Sequence, residues 1–191
     1  MDSLRKPSYI KPSYIKDGIL DVRIRVLFLF LGITILFILR PWIARQNYNR
    51  AVVFLNIKDY NKSIFHLRKC LITFSRFLSA YERLGEIFEE KGNYKEAIAN
   101  YEKMIKIDPT NPQGYLKMGI FYVVRIKDYA QAVKWFISAL AQDKKNWQAY
   151  RWLAICYKNL GKKDLALYTY QEMKKNFPHD KRIDRLIEKL R

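Results

Sequence analysis

The sequence has few of the residues that build disulfide frameworks and metal centres. Only two cysteines and two histidines occur among its 191 residues. Cys70 and Cys156 are far apart and each lies among apolar residues, so no disulfide framework is indicated, and free thiols of this kind fit either side of a membrane. His66 and Cys70 are four residues apart, half of a possible metal site, but no further ligands accompany them. We interpret both as ordinary helix residues.

Motifs of common enzyme classes are also missing. The sequence contains no phosphate-binding loop, nucleophile elbow or dinucleotide fingerprint. Glu86, Glu89 and Glu90 are spaced as a helix face rich in ion pairs, not as an acid/base couple. We therefore predict a protein that is not an enzyme and that uses no cofactor or metal.

Carboxylates are half as frequent as cations, with 18 Asp and Glu against 36 Lys and Arg, which gives a formal net charge of +18. Such a balance suits acidic partners, namely anionic lipid headgroups, acidic proteins or nucleic acid. The alternative is a lysine-rich composition spread over solvated helix faces. Half of the residues are hydrophobic, which is ample for a core, and the length suits one domain with an appendage.

The amino-terminal part contains a tandem pentapeptide, Lys6–Ile10 followed by Lys11–Ile15. Its prolines oppose a regular helix, so we predict a basic, extended or disordered tail over residues 1–23. The alternating lysines and tyrosines could contact lipid or a partner, and the alternative is an unstructured leader.

An uncharged apolar run follows at Val26–Leu39. A helix of this length reaches about 21 Å, short of the roughly 30 Å of a hydrocarbon core, but Ile24–Ala44 is long enough. The alternatives are the apolar core of a secretory signal and a buried helix of the following domain. Neither a small-x-small cleavage site nor a cysteine for lipid attachment follows. We predict an uncleaved transmembrane signal anchor over residues 24–43.

Charged and aromatic side chains flank this predicted span where a membrane interface would lie. The predicted membrane-interface residues are Arg25, Arg40, Trp42 and Arg45. Basic residues near the span are slightly more numerous on the amino side than on the carboxyl side, which favours the tail inside and the rest outside. We expect a single-pass protein of a bacterial cytoplasmic membrane with its carboxyl-terminal domain outside the cytoplasm.

A helical-hairpin pattern occupies Ala80–Asn111. Its first helix has an apolar stripe beside an acidic face, Gly92 breaks the chain, and Pro109 ends the second helix. Small residues, Gly85 and Ala97, indicate a close approach of two antiparallel helices. The pattern consists of Tyr81, Leu84, Gly85, Phe88, Gly92, Tyr94, Ala97, Tyr101 and Pro109.

This pattern resembles the tetratricopeptide repeat, TPR, and it recurs in register. The tyrosine that opens the pattern recurs after 34 and then 35 residues, as Tyr81, Tyr115 and Tyr150. The small residue of the second helix recurs after 35 and then 34 residues, as Ala97, Ala132 and Ala166. One extra residue lies between Tyr122 and Tyr129, and Lys144 replaces the closing proline of that unit. The predicted repeats are 44–77, which is degenerate, 78–111, 112–146 and 147–180. Residues 181–191 are predicted to form an amphipathic capping helix.

The resemblance implies an all-α fold, a TPR-type solenoid of about four helical hairpins with a capping helix, behind the single transmembrane helix. It also implies a concave groove, lined by the first helix of each repeat, that binds a peptide or helix. The implied groove residues are Tyr48, Val52, Glu82, Glu86, Glu89, Leu116, Ile120, Val123, Arg151, Ile155 and Lys158. Some of the apolar members could instead pack between helices. We expect Glu82, Glu86 and Glu89, together with Leu116, Ile120 and Val123, to select the partner.

Chaperone-binding TPR domains hold a peptide carboxylate with a clamp of Lys, Asn and Arg. In this sequence the resemblance puts Glu82, Glu86, Leu116 and Ile120 at clamp-type places, so binding of an acidic chaperone tail is disfavoured. We predict a membrane-anchored scaffold or assembly factor that binds a protein partner, within a larger envelope complex or by self-association. The alternative is a basic adaptor for anionic lipid or nucleic acid. Nucleic acid is disfavoured because most aromatic residues occupy predicted core places.

Overall fold

The computed structural model describes the backbone of residues 13–190 and the side chains of residues 22–190. Helix α1 spans Ser13–Asn56 and passes through Pro41. Residues 13–23 are therefore helical, whereas the sequence predicted an extended or disordered tail over residues 1–23. Pro12 immediately precedes the helix, a place where proline is compatible with helix formation, so the prolines do not prevent α1 from starting at Ser13. The rest of the predicted tail lies outside the described residues.

The chain divides into two compact units, one ending at Ile43 and the other beginning at Ala44. In the first unit the described apolar side chains of α1 are solvent-exposed. The second unit contains the carboxyl-terminal part of α1 and a series of further helices. These are α2 Tyr60–Thr73, α3 Leu78–Glu90, α4 Tyr94–Ile107, α5 Pro112–Phe121, α6 Tyr129–Gln142, α7 Trp147–Asn159, α8 Lys163–Asn176 and α9 Lys181–Glu188.

These helices form successive hairpins, in which α3 packs on α4, α5 on α6, and α7 on α8. The predicted close approaches occur within two of them. A Cβ atom built on Gly85 would lie 2.4 Å from Cε1 of Tyr101, and one on Gly119 would lie 2.5 Å from Cε1 of Phe136. Both aromatic rings are fully buried. Glycine at these places lets the second helix of each hairpin bring a large ring against the first helix.

The turns between the two helices of each hairpin share one conformation. Lys58, Gly92, Lys127 and Gly161 occupy equivalent places and all have positive φ, between 58° and 74°. The extra residue of the third unit is accommodated by a π-helical segment, Tyr122–Ile126, that continues α5. A π-helical turn contains more residues than an α-helical turn, so the insertion changes local winding and leaves the left-handed residue in register.

The last helix, α9, covers the apolar side of the preceding hairpin. Ile183 is fully buried and Leu190 nearly so, in a cluster with Ala166, Tyr170 and Met173. Lys174 Nζ lies 2.7 Å from Asp184 Oδ2 and links α8 to α9. That residues 181–191 serve as a cap of the array stays a prediction.

Candidate protein-interaction surface

The first helices of the second, third and fourth hairpins lie side by side, since α3 contacts α5 and α5 contacts α7. We call the outward side of α3, α5, its π-helical continuation and α7 the first-helix surface. These helices carry nine of the predicted groove residues, and the other two, Tyr48 and Val52, lie on α1. These predicted residues differ in burial and in the partners they already have.

The acidic row of α3 is paired with cations of the next repeat. Lys117 Nζ on α5 lies 2.8 Å from Glu82 Oε1 and 2.5 Å from Glu86 Oε1. Arg83 Nη1, on α3 itself, lies 2.7 Å from the other carboxylate oxygen of Glu86. Gln113 also donates a hydrogen bond to Glu82. Lys117 therefore bridges two carboxylates of a neighbouring helix.

Glu89, at the other end of the acidic row, has two partners of its own. Its Oε2 lies 3.1 Å from Nε of Arg125, in the π-helical segment, and its Oε1 accepts a 2.5 Å hydrogen bond from the hydroxyl of Tyr101. Burial, reinforced by this hydrogen bond, raises the pKa of Tyr101. The phenol therefore stays protonated and donates to Glu89.

The pKa shifts follow from this geometry. Burial raises the pKa of Glu86, but the hydrogen bonds and charges of Lys117 and Arg83 outweigh it and leave the pKa below its ordinary value of 4.5. Burial lowers the pKa of Lys117, but Glu82 and Glu86 outweigh it and leave the pKa above its ordinary value of 10.5. Both groups are ionised at neutral pH.

Three carboxylates thus meet three cations, Lys117, Arg83 and Arg125. The row has no net negative charge. It connects the second repeat to the third, and its side chains are partly buried, with Glu89 only 12% exposed. The sequence predicts that the three carboxylates share one helix face. It does not predict that Lys117 and Arg125 pair with them, because these two cations come from the next repeat.

The apolar part of the first-helix surface is only partly accessible. Leu116 is 2% exposed and belongs to the core cluster between α5, α6 and α7. It offers no surface to a partner. Ile120 and Val123 pack against this cluster and are half-buried, while Val124 beside them is exposed.

The predicted groove residues of α7 are more exposed to solvent than those of α5. Arg151 and Lys158 are exposed and Ile155 is half-buried. The Arg151 guanidinium lies over the ring of Trp147, with its Cζ 5.8 Å from the ring centroid. This end of the first-helix surface is basic and partly apolar.

The two predicted residues on α1 lie within the second unit. Tyr48 is half-buried with its ring centroid 5.1 Å from that of Phe77. Val52 is half-buried. Both contribute more to packing than to an open surface.

Part of α1, residues Val22–Asn56, is long and apolar enough to cross a membrane, and the most apolar window is unburied. A signal sequence near an amino terminus has the same properties. Trp42 and Arg45 are exposed, and the Arg40 guanidinium lies 5.5 Å from the Phe37 ring centroid. Arg25 is likewise exposed.

No group of three or more metal-ligating side chains occurs within residues 22–190. His66 stacks on Phe54, with ring centroids 5.4 Å apart. Cys70 is fully buried in the core, and burial raises its pKa to about 11. The two residues that could have been half of a metal site are thus occupied in packing.

Two family models, described as TPR repeat and Tetratricopeptide repeat, match residues 80–123 and 127–190. Together they cover more than half of the chain. The chain belongs to the tetratricopeptide-repeat family. Hsp70-Hsp90 organizing protein 3 of Arabidopsis thaliana is 22% identical over 134 residues, which are 70% of this chain and 24% of that protein. The chain thus spans about a quarter of the length of this curated TPR relative.

Solved structures show the same fold. TTC0263, a TPR protein of Thermus thermophilus, has a TM-score of 0.62 at 20% identity, covering 88% of this chain and 95% of that one. The first TPR domain of Spaghetti (RPAP3), bound to the HSP90 peptide SRMEEVD, has a TM-score of 0.51 at 24% identity, covering 59% of this chain and 91% of that one. At these identities the likeness concerns the fold alone.

Proposed function

We propose that this chain is a membrane-anchored scaffold or assembly factor. The apolar part of α1 holds it in a bilayer, and the first-helix surface binds a protein partner as a peptide or helix. TPR domains bind peptides, as the Spaghetti domain does with the HSP90 peptide. The observation that carries the proposal is a long helix with exposed apolar side chains in the same chain as a TPR array.

The partner contacts the open end of the first-helix surface. Ile120, Val123 and Ile155 supply half-buried apolar positions, and Arg151 and Lys158 supply exposed positive charge. A segment with apolar anchors and acidic flanks fits this combination. Glu82, Glu86 and Glu89 form a polar rim, because their charges are already matched.

An acidic chaperone tail is not the partner. A carboxylate clamp needs free cations at the places where this chain has Glu82, Glu86, Leu116 and Ile120. The cation nearest to them, Lys117, is engaged by two carboxylates. A labelled SRMEEVD peptide should therefore gain no affinity from its terminal carboxylate, and tighter binding of that peptide than of its carboxyl-terminal amide would contradict this assignment.

Site-specific crosslinking in membranes tests the main proposal. A photoreactive amino acid at Val123 should give a discrete crosslinked protein in cells that produce the full chain. The same amino acid at Ala99, exposed on α4, is the matched control and should not. Equal crosslinking at both positions, or none at Val123, would refute binding at the first-helix surface.

Membrane anchoring and orientation are tested separately. Alkaline extraction should leave the chain in the membrane pellet, and protease added to intact cells should remove the repeats, because we place them outside the cytoplasm. Release by alkali would refute the anchor. Protection of the repeats in intact cells, with digestion after lysis, would reverse the orientation.

A basic adaptor remains the second candidate, in the form that contacts anionic lipid. Its specific support is a surface of α2 described below. The nucleic-acid form has less support, because large aromatic side chains such as Tyr101, Phe121 and Phe136 are fully buried and cannot stack on bases.

A further inference from the structure

The outward face of α2 combines exposed apolar residues with cations. Ile72 is 84% exposed and Phe65 is 54% exposed, so α2 presents two large apolar side chains to solvent. Lys62, Arg68 and Lys69 are exposed on the same side, since their spacing follows the helical turn from Phe65. We call these five residues the α2 face.

Cation–π contacts join the two kinds of side chain. Lys69 Nζ lies 4.5 Å from the ring centroid of Phe65, and Lys62 Nζ lies 5.4 Å from that of Phe54 on α1. Burial, followed by the charges of Arg50 and Lys69, lowers the pKa of His66. Arg50 therefore adds to the positive field at this surface.

A shallow apolar groove borders the other side of Phe65. Besides Phe65 it is lined by Asn61, Ile64, Arg68, Phe88 and Lys91. Like the α2 face, the groove therefore combines apolar side chains with cations.

Negative charge is scarce on this surface. The α2 sequence contains no aspartate or glutamate. Asp59, just before α2, caps the helix by accepting from the Lys62 backbone N–H and pairs with the Lys62 side chain. Arg68 and Lys69 have no ion pair with a carboxylate within the described side chains, so the surface keeps a net positive charge.

The equivalent face of the next second helix is different. On α4, Ala99 and Lys106 stand where α2 has Phe65 and Ile72, and Glu102 stands where α2 has Arg68. The repeat fold therefore does not require an apolar and cationic face at this place.

We propose that the α2 face rests on an anionic lipid bilayer. Phe65 and Ile72 enter the boundary between headgroups and acyl chains, and Lys62, Arg68 and Lys69 contact lipid phosphates. Exposed apolar side chains flanked by cations are the composition of helices that lie in a membrane interface. Anionic lipid complements the net positive charge of this face, which an apolar protein surface or a second copy of this basic face would not.

This contact is independent of partner binding at the first-helix surface. It also differs from the anchor, although α2 begins at Tyr60, soon after the second unit starts at Ala44. Each surface cation is expected to strengthen the contact about fivefold.

A pair of spin-labelled variants of the full chain tests the proposal. Ile72→Cys and Lys106→Cys place a label at equivalent positions of α2 and α4. The native Cys70 and Cys156 are fully buried, and burial raises their pKa to about 11 and about 12, so they should react poorly with the label. The unsubstituted chain is the control for labelling at these thiols.

The chain is reconstituted into phosphatidylcholine vesicles with and without phosphatidylglycerol. Label accessibility to oxygen, which enters the bilayer, is compared with accessibility to a water-soluble nickel chelate. At Ile72 we expect lipid exposure only with phosphatidylglycerol, reversed by salt. At Lys106 we expect water exposure in both.

Three outcomes would overturn the proposal. The Ile72 label could stay in water, could enter both membranes equally, or could become buried without lipid contact, which would indicate a second copy. A label at Ile38, in the apolar part of α1, reports the anchor in the same samples. Failure of the anchor and failure of the α2 face are therefore distinguishable.

Discussion

The first and second repeats have the same register but use their side chains differently. In the second repeat, Gly85 admits the ring of Tyr101, and the carboxylates of α3 are matched by Lys117 and Arg125 of the third repeat. In the first repeat, Ala51 stands at the place of Gly85, and the cations of α2 face solvent. Charged side chains thus connect neighbouring repeats in one place and are solvent-exposed in the other.

The largest expected effect concerns the small residue of the second repeat. Gly85→Ala should lower the free energy of unfolding by about 2–3 kcal/mol, because its Cβ would meet the buried Tyr101 ring. Ala51→Gly, the reverse change in the first repeat, should cost only about 1 kcal/mol through helix propensity. Urea unfolding of the full chain in detergent measures both. Equal losses would show that the two repeats do not differ in packing.

The charge network of the second repeat gives the next effect. Lys117→Met should cost about 1–2 kcal/mol, between the values for surface and buried ion pairs, because Glu82 and Glu86 lose their shared cation. The control is Lys103→Met on the exposed side of α4, which should be nearly neutral. If both variants unfold alike, the network contributes nothing to stability.

The same network predicts a pH dependence. The pKa of Glu86 is lower in the folded state than its ordinary value of 4.5, so its contribution is present above that value and is lost as the pH falls toward the folded pKa. Stability should therefore fall below about pH 4.5 more steeply in the native chain than in Lys117→Met. Parallel pH profiles would contradict the pairing.

The hairpin turns give the smallest effect. Lys58 in the first repeat and Gly92 in the second both have positive φ, which only glycine adopts without strain. Lys58→Gly should raise the free energy of unfolding by up to about 1 kcal/mol, whereas Gly92→Ala should lower it by about 1 kcal/mol. A loss of stability in Lys58→Gly would show that the lysine is not strained there.

The sequence predicts the hairpins well because their register depends on local spacing. Gly85 and Ala97 indicated the close helix approach, and a Cβ atom on Gly85 would indeed meet the Tyr101 ring. Contacts between repeats could not be predicted in this way. Nothing near Glu86 in sequence shows that Lys117 reaches it, so the acidic row looked like an open binding surface.

Two other features of the fold could not be predicted from residue type alone. The π-helical insertion keeps the third hairpin turn in register, so Lys127 occupies the turn position that has positive φ. A lysine at this position does not indicate positive φ in the sequence. Helix α1 begins at Ser13, where the proline-containing repeat predicted an extended tail. The exposure of Phe65 and Ile72 was not predicted, because only the structure shows that no helix within residues 22–190 covers them.

The most direct test of this comparison removes the same charge from both repeats. Lys62→Gln, Arg68→Gln and Lys69→Gln together change the α2 face, and Lys95→Gln, Lys103→Gln and Lys106→Gln change the exposed side of α4 equally. With a spin label at Ile72 in phosphatidylglycerol vesicles, the first set should move the label from lipid to water, and the second should leave it in lipid. If both sets move the label from lipid to water equally, the overall positive charge makes the contact. That result would contradict a specific contact through the α2 face.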